Sequence, residues 1–171
     1  SQCTVIGIDR SIHRLQKSAT GKTHNDSCSD KDDADTSSNL PDPVQIAPNA
    51  VLIRADLIDF WRLAAAEGWQ LKHHYFLYPN PYPKSTQLQR RWHAHPVFPT
   101  ILKLGGEITV RSNWLTYIEE FSLALQYSEG LTADITVETL PEEALQTPLT
   151  LFEKKYAADG QFLYQLSASL R

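Results

Sequence analysis

No methionine occurs in these 171 residues, there are only two cysteines, and no apolar stretch is long enough to span a bilayer, which takes about 20 residues. Two cysteines, Cys3 and Cys28, cannot build a disulfide framework, so a reduced compartment is expected. With neither a spanning run nor a charged-then-apolar leader, the expected location is the cytosol, with no membrane partner. The missing initiator, and a strand that opens almost at Ser1, lead to the expectation that a natural N-terminal part precedes this sequence. No glycine-rich, phosphate-cradling loop is visible, and Gly105-Gly106 reads as a helix stop. A net charge of −4 excludes a generally basic, polyanion-coating protein. Many of the acids fall together, at Asp26, Asp30, Asp32, Asp33 and Asp35. Outside that stretch the balance is more even, and a local basic cluster follows Lys84. A local patch can steer a polyanion even on a mildly acidic protein.

What is present reads as one domain, large enough for a true core. Cys3 to Ile8 predicts a short buried strand closed by Asp9, with SIHRLQK opening a helix. Ser18 to Pro48 is rich in Ser, Asp, Asn, Thr and Pro and poor in large apolar residues, so it is expected to be a flexible, disordered insertion. Ala50 to Arg54 predicts a strand. Leu57 to Ala66 has helical spacing, with Leu57, Phe60, Trp61 and Ala64 on one face and Gly68 as terminator. Further strands are expected over Lys72–Tyr78, Glu107–Arg111, Ala133–Leu140 and Phe162–Ser167. Helices are expected over Pro96–Leu104, Trp114–Tyr127 and Leu149–Ala158, with Pro141–Pro148 as a loop. Alternating β and α followed by a terminal β pair predicts an α/β, Rossmann-like doubly wound sheet with an antiparallel end.

In such sheets ligands sit at the carboxyl ends of the strands. Asp9, in VIGIDRS, and Asp56, in IRADLIDF, both stand at strand ends. A carboxylate there accepts from ribose hydroxyls or from an adenine amine. It also serves as a helix N-cap, and for each residue taken alone the cap is the simpler reading. The third strand end is more unusual. Pro79, Pro81 and Pro83 restrict the backbone around Asn80 and Tyr82, and a turn that stiff suits a reaction that depends on alignment. Lys84, Arg90 and Arg91 follow, beside Trp92 and His93, in a pattern that fits nucleic-acid phosphates as well as a solvated surface. His73, His74, His93 and His95 cluster without zinc spacing, so no metal is expected.

LYPNPYPK followed by QLQRRWHAHPVF resembles the signature of the bacterial tRNA (guanine-N(7)-)-methyltransferases: a Pro-Asp-Pro-Trp turn, a Lys, an Arg-Arg pair and then a helix. VIGIDRS and IRADLIDF resemble that family's ribose- and adenine-binding strand ends. GGEITVRSNWLTYIEEF is similar to its strand and helix reading Thr-Asp-Trp-x-x-Tyr, and TPLTLFEKKY to its Thr-x-x-Glu motif. Order and spacing agree across five segments. The resemblance implies a class I methyltransferase fold, S-adenosylmethionine as cofactor and a tRNA guanine as substrate. By position it places Asp9 on the ribose, Asp56 on the adenine and Asn80 at the catalytic turn against the cofactor. Lys84, Arg90, Arg91, Asn113, Thr150 and Glu153 fall on the substrate side. The family's glycine-rich first strand and loop are absent and would lie before Ser1.

Two acids of the family's pattern are amides here, Asn80 and Asn113. Guanine N7 has a free lone pair, so its methylation needs alignment and water exclusion rather than a general base. The product carries positive charge, which a carboxylate stabilises and a neutral amide stabilises less. The two amides therefore predict slower guanine methylation or a different acceptor. Asn80-Pro81-Tyr82 also partly resembles the Asn-Pro-Pro-Tyr turn of methyltransferases that act on exocyclic amines. A degenerate relative that binds RNA or cofactor without turnover is the third expectation.

Overall fold

The computed structural model describes residues 3–11, 14–15, 43–128 and 133–170. Two compact units make up the chain, Ser1–Phe60 and Trp61–Arg171. The acid-rich stretch and Cys28 lie outside the described residues.

The first unit holds β1 (Val5–Asp9), β2 (Val44–Ala47) and β3 (Ala50–Arg54) in the order β1-β3-β2. β1 and β3 run parallel, in register from Val5 opposite Ala50 to Asp9 opposite Arg54. β2 runs antiparallel to β3 with a register shift between Gln45 and Ala47. β2 corrects the expectation of a disordered segment reaching Pro48: its last residues fold back on β3 as a hairpin, and Gln45 Nε2 donates to the carbonyl of Ala47 at 2.7 Å across that turn. Cys3 is exposed rather than buried and precedes the strand. Helix α1 (Leu57–Ala66) opens where Asp56 Oδ1 accepts the backbone N–H of Ile58 at 2.8 Å. Gly68, at φ +70°, follows its end as expected.

The second unit contains β4 (His73–Leu77), α2 (Phe98–Lys103), β5 (Gly106–Ser112), α3 (Leu115–Gln126), β6 (Ala133–Thr139), α4 (Glu142–Leu145), α5 (Leu151–Ala158) and β7 (Tyr164–Leu170). Its sheet order is β4-β5-β7-β6. β4 and β5 are parallel, and β7 lies antiparallel between β5 and β6. The antiparallel end is as expected, while the parallel strands, expected in one doubly wound sheet, are divided between two sheets as the pairs β1-β3 and β4-β5. α4 is a short helix inside the stretch expected to be loop, and β7 begins and ends later than expected.

The core of this unit forms where α3 meets the sheet. Tyr117, Ile118, Phe121 and Leu125 recur at helical spacing and are essentially inaccessible, as are Ile108 and Val110 of β5. Phe121 packs against Phe76 of β4 and Phe98 of α2, with ring centroids 5.4 and 5.3 Å away. Trp61 meets Phe76 at 5.8 Å and Trp92 at 5.0 Å. Each such side chain contributes about 1.5–3 kcal/mol of apolar burial.

His74 lies in the same layer, with Nε2 bonded to the carbonyl of Gly105 at 3.0 Å. Burial holds its pKa below the ordinary imidazole value; the Gly105 bond opposes this and neighbouring His73 adds to it. His93 is lowered as well, chiefly by burial, against the opposing carboxylate of Glu120. A depressed histidine takes up its proton in the unfolded chain first, so stability is complete above the unfolded value of about 6.5 and falls as the pH drops below it. The melting temperature is expected to fall between pH 7.5 and 5.5, and His74→Gln is expected to flatten that slope in a pH-resolved thermal scan.

Candidate functional site

In the first unit the parallel register brings two carboxylates to neighbouring strand ends. Asp9 closes β1, and the N–H of Ala55 donates to its carbonyl at 3.3 Å just past the end of β3. Asp9 Oδ1 accepts the N–H of Ser11 at 2.8 Å, and its Oδ2 pairs with Arg14 Nε at 3.2 Å. Asp56 caps α1 through Oδ1, and its Oδ2 pairs with Arg10 Nη1 at 3.4 Å. Both acids thus serve as turn or cap residues, and in each a second oxygen remains in a surface ion pair. Such pairs contribute about 0–1 kcal/mol and exchange readily for another donor.

In the second unit the chain leaves β4 through Tyr78-Pro79-Asn80-Pro81-Tyr82. Tyr78 and Tyr82 have φ of +52° and +44°, a left-handed conformation that costs a non-glycine residue of order 1–3 kcal/mol. Asn80 lies between them on the surface. Its Oδ1 accepts the backbone N–H of Tyr82 at 3.2 Å, an Asx turn that fixes the orientation of the amide. Asn80 Nδ2 is left as a donor with no partner among the described residues. The Tyr82 ring lies under the guanidinium of Arg90, 5.8 Å from the ring centroid.

The basic residues do not form one surface cluster. Lys84 and Arg90 are exposed, but Arg91 is only 4% exposed. Its Nε and Nη2 donate to the carbonyl of Tyr82 at 3.3 and 3.0 Å, its Nη1 pairs with Glu120 of α3, and its guanidinium lies 4.9 Å from the Trp114 ring centroid. Arg91 is thus held inside the fold with a bond from each of its three nitrogens, an arrangement unlike the surface phosphate contact expected of it. Glu120 also meets His93 Nε2 at 3.1 Å, while His93 Nδ1 is buried without a partner. The expected helix after this pair begins later; Ser85–Arg90 and Trp92–Ala94 are short 3₁₀ turns. Glu120 and Trp114 are the residues whose part in this site reading the sequence missed. The only signal was an acid pair, Glu119-Glu120, next to the buried stripe of α3.

Asn113 lies just beyond β5, where the Leu77–Arg111 pairing sets the end of β5 beside that of β4. Its Nδ2 donates to Gln161 Oε1 at 2.8 Å, tying this turn to the loop before β7. Thr150 is the N-cap of α5, its hydroxyl accepting the N–H of Glu153 at 3.1 Å. Glu153 is fully buried, with Oε1 on Arg111 Nη1 at 2.7 Å. Arg111 Nε donates in turn to Gln165 Oε1 at 2.8 Å. Glu153 Oε2 and the Tyr78 hydroxyl are buried and out of hydrogen-bond geometry. Burial first, and then the charge of Glu153, push the Tyr78 phenol well above its ordinary range. Thr150 and Glu153 thus have evident work in the fold. Glu153 meets Arg111 at the end of β5, Tyr78 just past β4 meets Tyr156 of α5, and Asn80 and Asn113 follow these two strand ends in the chain.

A shallow cavity of about 280 Å³ lies away from these residues, on the polar face of the second sheet between His73, Thr109, Asp134 and Ser167. Among the described residues no group of three or more His, Cys, Asp and Glu is placed to hold a metal ion. Among the same residues no helix is long and apolar enough to cross a membrane.

No protein family's sequence profile matches the chain, and no curated protein matches it. Solved structures do. The candidate methyltransferase SMU.776, solved with SAH, superposes with a TM-score of 0.53 at 9% identity over 97% of this chain. An antibiotic-related methyltransferase gives 0.53 at 13% identity over 98%. A candidate SAM-dependent methyltransferase from Streptococcus mutans gives 0.50 at 11% over 97%. The chain spans only 39% and 38% of the first and third of these, and 76% of the second. At these identities the likeness is one of fold: mixed α/β, Rossmann-like, shared with methyltransferase structures.

Proposed function

We propose that this chain is a cytoplasmic S-adenosylmethionine-dependent RNA methyltransferase that transfers a methyl group to N7 of a guanine in tRNA. The observation that carries this reading is the turn after β4: a strained, proline-bracketed loop whose Asn80 amide is oriented by the Tyr82 N–H and keeps a donor facing outward. Its support is the shared fold, together with the five-segment resemblance to the tRNA guanine enzymes.

Asp9 and Asp56 fit the cofactor's ribose and adenine. Each commits one oxygen to a backbone N–H and leaves the other in an exchangeable surface pair. The cofactor, when bound, supplies a methyl group on a sulfonium. Asn80 Nδ2 donates to an acceptor on the Hoogsteen edge of guanine, which carries O6 beside N7. The Tyr82 ring offers a stacking face. N7 has its own lone pair, so alignment rather than proton removal is what the turn contributes. Lys84 and Arg90 take tRNA phosphates. Asn113 lies on the base side, and Thr150 and Glu153 act there through the position of α5.

The exocyclic-amine reading requires Asn80 to accept from the amine, and Oδ1, which already accepts from Tyr82, has one lone pair left for it. The guanine reading is preferred because the flanking Lys84, Arg90-Arg91 and Thr150-x-x-Glu153 match the guanine family better. A relative that binds RNA without turnover remains the third outcome of the test. The full-length protein is incubated with labelled S-adenosylmethionine and unmodified tRNA, and the product is mapped by nucleoside mass spectrometry. Methyl at guanine N7 is expected. Methyl on an amine moves the acceptor, and no incorporation with RNA still bound ends the catalytic reading.

A further inference from the structure

We infer that Arg91, held by Glu120 and Trp114, is a positioning residue that sets the turn carrying Asn80 and Tyr82; this rests on the reading of that turn as the methyl-acceptor side. The turn has little else to hold it. Pro79, Pro81 and Pro83 lack N–H groups, so the backbone of this loop offers few donors, and its two tyrosines are in a conformation that L side chains rarely adopt. Strained backbone of this kind persists only where its surroundings over-determine it. Two N–H groups from one rigid guanidinium converge on the carbonyl of Tyr82, and the same fork is fixed on its other side by Glu120 and beneath by Trp114.

Glu120 belongs to α3, whose inner face is the core of the unit. The chain of contacts therefore runs from the packed helix through Glu120 and Arg91 to the Tyr82 carbonyl, and through the Tyr82 N–H to the side chain of Asn80. His93 makes a second contact with the same Glu120 oxygen and restricts how that carboxylate turns. Lysine cannot take the place of Arg91. It keeps the charge but has no planar fork to reach the carbonyl and the carboxylate together. The neighbour Arg90 has the opposite character, exposed and over the outer face of Tyr82, and serves as the contrast.

Arg91→Lys and Arg90→Ala are compared with the unaltered full-length protein by tRNA methylation kinetics, by the salt dependence of tRNA binding and by hydrogen exchange at the Tyr82 amide. For Arg91→Lys the expected result is a kcat about 10²-fold lower with KM for tRNA within about twofold, an unchanged salt slope and faster exchange at Tyr82. For Arg90→Ala it is weaker binding with a salt slope reduced by about one, and unchanged exchange at Tyr82. An Arg91→Lys variant that weakens RNA binding and lowers the salt slope as Arg90→Ala does would make Arg91 a phosphate contact. Unchanged exchange at Tyr82 would likewise overturn the positioning role. If the unaltered protein transfers no methyl group, the proposed function fails, and the exchange measurement still decides whether Arg91 holds the turn.

Discussion

Replacing Glu153 with alanine is expected to destabilise the second unit by about 3–5 kcal/mol, the usual result of removing one partner from a buried ion pair. For a chain of this size that corresponds to a fall in melting temperature of roughly 10 °C. The reason is what remains behind. Arg111 is 14% exposed and, among the described residues, keeps only the neutral amide of Gln165 as an acceptor on its guanidinium, so its charge would be stranded in a poorly solvated site. The double replacement Arg111→Met with Glu153→Leu is expected to recover most of the loss, because exchanging a buried pair for packed apolar groups is often neutral or stabilising. A thermal melt of the three proteins checks this. If Glu153 served only to touch substrate, the single replacement would leave the melting temperature where it was.

Gly106→Ala is the other large effect. Gly106 opens β5 with φ +84°, and a Cβ there would lie 2.2 Å from the carbonyl oxygen of Leu71 and 2.8 Å from the carbonyl carbon of Lys72. Those atoms are backbone and cannot rotate aside. The clash also falls where the Glu107 N–H donates to the Lys72 carbonyl at 2.9 Å, next to the first pair of the β4–β5 ladder. A loss of more than about 4 kcal/mol is expected, in the range reserved for a few named disruptions. Gly68→Ala is the control: Gly68 has a similar φ of +70° and nothing within 4 Å of an added Cβ, so about 1 kcal/mol is expected from the backbone alone. Chemical denaturation of both variants separates the clash from the conformation.

The elements with strong local patterns were legible in the sequence. The helical spacing of Tyr117, Ile118, Phe121 and Leu125 places α3 and its inward face, and alternation with glycine and proline punctuation places β4 and β5. β2 was not legible, because four residues at the end of a polar stretch gain strand character only from pairing with β3, a tertiary effect. At the site, the stiffness of the proline turn could be read, but its two positive φ values could not. Nor does sequence say which of two adjacent arginines turns inward. Arg90 and Arg91 are chemically identical, and only the position of Glu120, 29 residues beyond Arg91, separates them. Thr150-x-x-Glu153 does carry a local signal, the spacing of a capping box. The threonine fulfils it, while the glutamate turns away to Arg111.

The place of β7 in its sheet has a consequence for how the protein is made. β6 emerges from the ribosome before β7, yet its ladder in the sheet is with β7 alone. At roughly 5–20 residues per second, β6 waits a few seconds for a partner that is synthesised later. In that interval it is a bare strand bearing Ile135 and Val137 on one face, open to pairing with a neighbouring nascent chain. Asp134 and Glu138 alternate with those apolar residues and place like charges along the waiting strand, guarding it until β7 arrives.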